Sequence, residues 1–74
     1  MNKEERFLIQ SKVQKLVLFL VRDFNMSLLE AFRTVYNSEL YDRLIDTETG
    51  LYYKSSVHAY SYLKNEIKKG KIIS

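Results

Sequence analysis

Three groups of residues in this 74-residue sequence could do chemistry: a lone histidine, an acidic trio and a row of lysines. His58 is the only histidine, and imidazole is the side chain that ordinarily titrates near neutral pH. A catalytic imidazole needs a nucleophile beside it and a third group to orient it. Ser55, Ser56 and Tyr62 are the local candidates, and none of them supplies that arrangement from sequence. His58 is therefore expected to be a surface residue. Asp42, Asp46 and Glu48 fall close together and carry the right oxygens for a hard cation. A calcium loop, however, places its glycine sixth and a glutamate twelfth. Counting from Asp46, Gly50 comes fifth and no glutamate stands at the twelfth place. A solvated turn is the expected reading.

The chain has no cysteine, so it has neither a disulfide nor a thiolate metal site. It contains no glycine-rich phosphate loop and no paired-histidine zinc motif. These readings predict a protein with no catalytic residue, no cofactor, no metal and no small-molecule substrate.

Charge is distributed unevenly. The first 23 residues net +2, residues 24–53 net −3, and residues 54–74 net +4. Lys64, Lys68, Lys69 and Lys71, with Lys54, form a basic C-terminal flank able to meet phosphates. The second and third predicted helices are spaced like a helix-turn-helix. The helix that would enter the groove carries Glu39, Asp42 and Asp46 against one Arg43, and phosphate would repel it. A nucleic-acid-binding accessory domain using the basic end is therefore the secondary reading.

The elements that position these residues follow from apolar spacing and cap signals. Ile9, Val13, Leu16, Val17, Leu20 and Phe24 recur at helical intervals, which predicts a first helix over about residues 3–23. Ser27 followed by Glu30 is a capping-box pattern, opening a second helix over about 28–36 with Leu28, Phe32, Val35 and Tyr36 buried. Ser38 caps a short third helix, about 39–46, that buries Leu40, Tyr41, Leu44 and Ile45. Gly50 closes the one strong turn signal, residues 46–50. Residues 51–54 are rich in β-formers and predict a short extended segment packed on the helices. Ser55 or Ser56 caps a last helix, about 57–69, whose inner face is Ala59, Tyr60, Leu63 and Ile67, and Gly70 is a natural terminator. The predicted fold is all-α: one domain spanning residues 1–74, a compact bundle of about four helices.

The first helix is greasier than a surface helix needs to be. Phe7, Leu18 and Val21 fall nearly opposite the inner face, and Leu8 and Phe19 lie on a third side. Left in water, each large side chain forgoes roughly 1.5–3 kcal/mol of burial. A domain of this length is worth roughly 4–11 kcal/mol in total. The excess predicts either association, with a second copy as a homodimer or with another protein, or a first helix surrounded by the other three and by residues 51–53. Tyr52 and Tyr62 also fall off the inner faces, and tyrosine is enriched at interfaces. The expected interface residues are Phe7, Leu18, Phe19, Val21, Tyr52 and Tyr62. The charged start, Met1-Asn2-Lys3-Glu4-Glu5-Arg6, lacks the pattern of a signal peptide. The longest apolar run, residues 16–21, is far short of a membrane span. A cytoplasmic location and no membrane contact are expected.

Several of these segments also carry a resemblance. They are Asp23-Phe24-Asn25-Met26-Ser27-Leu28-Leu29-Glu30-Ala31, Val35-Tyr36-Asn37-Ser38, Asp46-Thr47-Glu48-Thr49-Gly50-Leu51-Tyr52-Tyr53, and residues 60–66. Together they resemble a small bacterial family of unknown function, made of short cytoplasmic helical proteins. The resemblance extends over residues 7–67. Some members are similar to the presumed antitoxin half of pairs with an ADP-ribosyltransferase-like toxin. It implies a helical, non-catalytic protein whose partner is another protein, and it assigns no catalytic residue.

Overall fold

Asn2 starts the first helix. Its side chain accepts from the Glu5 backbone N–H at 2.8 Å, and the Glu5 carboxylate accepts from the Asn2 N–H at 2.9 Å, a reciprocal capping box. In the computed structural model, which describes residues 1–70, this helix is α1, Lys3–Phe24. It ends at Asn25, which takes a left-handed conformation at φ 54°, one that asparagine tolerates better than most residues.

Ser27 opens α2, Leu28–Tyr36, by accepting from the Glu30 N–H at 3.2 Å. The Glu30 carboxylate accepts from the Ser27 hydroxyl at 3.1 Å, so only half of the anticipated box is of the backbone type. Ser38 caps α3, Glu39–Ile45, by accepting from Tyr41 N–H at 3.0 Å, and its own hydroxyl donates to the Val35 carbonyl at 2.6 Å. One buried hydroxyl thus closes α2 and opens α3. Ser55 caps α4, Ser56–Lys68, by accepting from the His58 N–H.

The architecture is all-α: four helices, with no strand among the described residues. The long α1 packs against α2, against α4 and against the turn after Gly50. Leu16 and Leu20 lie at the centre with Val35, Leu40, Leu44 and Leu63, all essentially free of solvent. The face predicted for α1 is the one buried, from Ile9 through Leu20, although Phe24 at its end is exposed. No helix among the described residues is long and apolar enough to cross a membrane.

Three expectations are corrected. Residues 51–53 are not extended: Leu51–Tyr53 forms a 3-10 turn, following another at Thr47–Thr49, and only Lys54 has extended backbone. Gly50, at φ 68°, joins them, a conformation glycine adopts without steric cost, and Tyr53 N–H donates to the Gly50 carbonyl at 3.1 Å to close the second turn. Second, Tyr52 is buried at 5% exposure and so is no interface residue. The turn swings its ring onto the core, and its hydroxyl donates to Glu5 of the α1 cap at 3.2 Å. Third, α2 buries Ala31, Thr34 and Val35, whereas Leu28 and Tyr36 are exposed. Small side chains let the two backbones approach, and the large ones are turned outward. Ile45, expected inside, is also exposed, and Tyr41 is half-buried.

Candidate functional site

His58 is exposed and meets the Tyr62 ring edge-on, with centroids 5.2 Å apart. The acidic trio is a turn: Asp46 Oδ1 accepts from the Glu48 N–H at 3.1 Å. Among the described residues no three acidic or imidazole groups converge as a metal-holding set.

The surface is where the molecule departs from a self-sufficient bundle. Phe7 is 68% exposed and Leu18 62%. At about 100° per residue these two lie within about 20° of each other, on the side of α1 away from its buried face and about 16 Å apart along the axis. Val21 and Phe19 are half-buried against the core. Phe19 meets Tyr60 at 4.9 Å between centroids with the rings tilted by 37°, and the Arg22 guanidinium lies over the Phe19 ring at 5.0 Å. Tyr62 is exposed. Of the expected interface residues, Phe7, Leu18 and Tyr62 are therefore in water, Phe19 and Val21 are partly so, and Tyr52 is not.

A second apolar row went unpredicted. Leu28 is 58% exposed and Leu29 61%, with Tyr36 beyond them at the other end of α2. Leu28, Phe32 and Tyr36 are spaced at i, i+4 and i+8, so they share one side of the helix. The Phe32 and Tyr36 rings stack at 6.2 Å, and Tyr36 meets Tyr41 edge-on at 4.9 Å. Between this row and α1 is a shallow recess of about 230 Å³, lined by Gln10, Val13, Gln14, Phe32 and Tyr36. The i+4 spacing was visible in sequence, but it was read as a buried face.

A larger groove, about 550 Å³, opens on the other side of α1 against the start of α4. Leu18, Phe19 and Val57 form its apolar part, with Lys12 and Lys15 on α1 and Ser55 and Ser56 at the α4 end.

The basic flank is only partly free. The Lys64 ammonium lies over the Tyr60 ring at 5.0 Å. Lys68 and Lys69 are exposed, and Lys71 lies outside the described residues.

Electrostatics tie the end of α1 to α4. Asp23 accepts from the Tyr60 hydroxyl at 2.8 Å and from Arg22 at 2.7 and 3.0 Å. The bonds from Arg22 first, then from Tyr60, hold the Asp23 carboxyl at about 2. Desolvation and the adjacent carboxylate push Tyr60 up to about 12. A folded-state carboxylate pKa below its ordinary value gives stability that is present above about pH 4 and lost as pH falls toward 2. The Tyr60 contribution runs the other way: it is present below pH 10 and lost between about 10 and 12. Asp23→Asn should therefore show a flatter fall in urea midpoint between pH 5 and pH 2.5 than the wild type. Equal slopes for the two proteins would contradict this assignment. Burial also pushes the Tyr52 hydroxyl up to about 12, aided by its neighbours Tyr53 and Glu5.

No family model matches the chain, and no curated protein or solved structure shows significant similarity to it.

Proposed function

We propose that this chain is a non-enzymatic helical domain of the bacterial cytoplasm that works by binding another polypeptide, a second copy of itself or a different protein. The contact surface is the outer side of α1 around Leu18 and Phe7, extended by the exposed row on α2. The observation that carries this reading is the pair of large apolar side chains, 68% and 62% exposed on one face of the longest helix. Leaving both in water forgoes several kcal/mol of burial, in a domain whose whole stability is of similar order. Leu18 also borders one groove with Phe19 and Val57, and grouped exposed apolar side chains mark an interaction site more often than scattered single residues do. The resemblance of residues 7–67 to a family with antitoxin-like members supports a partner of the ADP-ribosyltransferase-like toxin class.

Sedimentation velocity tests the self-association branch. The wild type should run as a dimer at micromolar concentration, and Leu18→Glu should run as a monomer of unchanged helicity, because position 18 is outside the core. A dimer that survives Leu18→Glu would remove this face from the interface. A monomeric wild type would leave a different protein as the partner.

A further inference from the structure

The groove between α1 and the start of α4 has a chemistry of its own. Its floor is apolar: Leu18 and Val57 are 62% and 70% exposed, and Phe19 lies between them, half-buried. Lys12 and Lys15 stand on the α1 side. They are three residues apart, so their stems rise from one side of the helix about 5–6 Å apart. The one salt bridge among the described residues joins Arg22 to Asp23, so neither lysine is neutralised within the fold. No carboxylate lines the groove. The first turn of α4, which forms the opposite side, has no acidic residue, whereas α1, α2 and α3 each have at least one in theirs. An apolar floor under positive charge is complementary to a segment with large apolar side chains flanked by carboxylates. A nucleic acid would match the lysines but would leave Leu18, Phe19 and Val57 against phosphates and sugars.

Building on the interaction reading above, we propose that this groove docks an acidic, amphipathic segment of a different protein. Its apolar side chains seat on Leu18, Phe19 and Val57, and two carboxylates a helical turn apart meet Lys12 and Lys15. Charge here sets orientation and encounter rate, and the apolar contact supplies most of the holding.

The test is to select a library of random 16-residue peptides for binding to the intact protein, and then to measure the enriched peptides against variants. Enriched peptides should carry at least two Asp or Glu beside large apolar residues. Their affinity should fall at least tenfold on the Lys12→Glu/Lys15→Glu protein and on Val57→Glu, fall with added salt, and stay unchanged on Phe7→Glu. Both lysines and Val57 lie outside the core, and circular dichroism of each variant checks that the fold is kept. No enrichment, peptides without carboxylates, or equal binding to the charge-reversed protein would overturn the assignment. Peptides that lose binding on Phe7→Glu but not on Lys12→Glu/Lys15→Glu would overturn the groove while leaving the outer face of α1 as an interaction surface. A single-stranded oligonucleotide that competes with the peptides at moderate salt would also overturn it.

Discussion

Glu66→Ala should lower the free energy of unfolding by about 2–4 kcal/mol, to be read by urea denaturation. Glu66 sits on the inner side of α4, only 9% exposed. Its two carboxylate oxygens accept from the backbone N–H groups of Glu39 at 2.9 Å and Leu40 at 2.8 Å. These are among the first N–H groups of α3, which have no partner within their own helix. A carboxylate there also faces the positive end of the helix dipole. Alanine strands both donors, and each buried donor left unmet costs about 1–3 kcal/mol. Partial access of water at Glu39, which is exposed, keeps the sum below the upper limit. Glu66→Gln retains one accepting oxygen and should lose about half as much. Equal stabilities for wild type and Glu66→Ala would mean that α3 is held by Ser38 and its apolar contacts alone.

Leu16→Ala should cost about 2–5 kcal/mol, the range for removing a buried leucine without collapse of the space it leaves. Leu16 has no solvent exposure and lies at the middle of the longest helix, which packs on α2, on α4 and on the turn at Leu51–Tyr53. In a domain worth roughly 4–11 kcal/mol, that loss is a large share of the total. By contrast, Leu18→Ala, two residues along and on the outer side, should change stability by less than about 0.5 kcal/mol, as surface substitutions usually do. The difference between the two leucines, read from urea midpoints, separates core from interface on a single helix. A large loss at Leu18 that does not vary with protein concentration would place that side chain inside the fold, whereas one that grows with concentration would report lost association.

The helices were legible because their starts are written locally. Ser27, Ser38 and Ser55 each accept from the N–H three residues on, a contact that depends only on neighbours in sequence. The buried face of α1 was legible for a related reason: twenty-two residues give its apolar period time to repeat. In the nine residues of α2 the period barely completes, and two faces compete. Size decided between them. Ala31, Thr34 and Val35 allow close approach to α1, which apolarity alone does not reveal. The Leu51–Tyr53 turn was hidden because tyrosine favours strands in general, whereas the turn bonds Tyr53 N–H to the Gly50 carbonyl and Lys54 N–H to the Leu51 carbonyl set the backbone there.

Glu66 was the functional-looking residue that sequence reasoning passed over. It lies three residues after Leu63 and one before Ile67, so it falls on the inner side of α4. A charged residue inside an apolar face asks for a buried partner. That signal was available, but the partner stands twenty-six and twenty-seven residues away, beyond what local patterns can name. The exposed pair Phe7 and Leu18 was legible, since surplus apolar faces on one helix need no tertiary information to be counted. The groove beside Val57 was not, because it exists only where α1 and α4 meet.

On the proposed reading, the outer side of α1 is covered by another polypeptide in the cell. A photoactivatable benzoylphenylalanine placed at position 18 or 7 tests it directly, with the same group at exposed Asn65 on α4 as the control. Irradiation in living cells should give a discrete adduct of defined mass from positions 18 and 7, and none from 65. Adducts from position 18 no stronger than those from 65 would contradict the claim and leave Leu18 facing water.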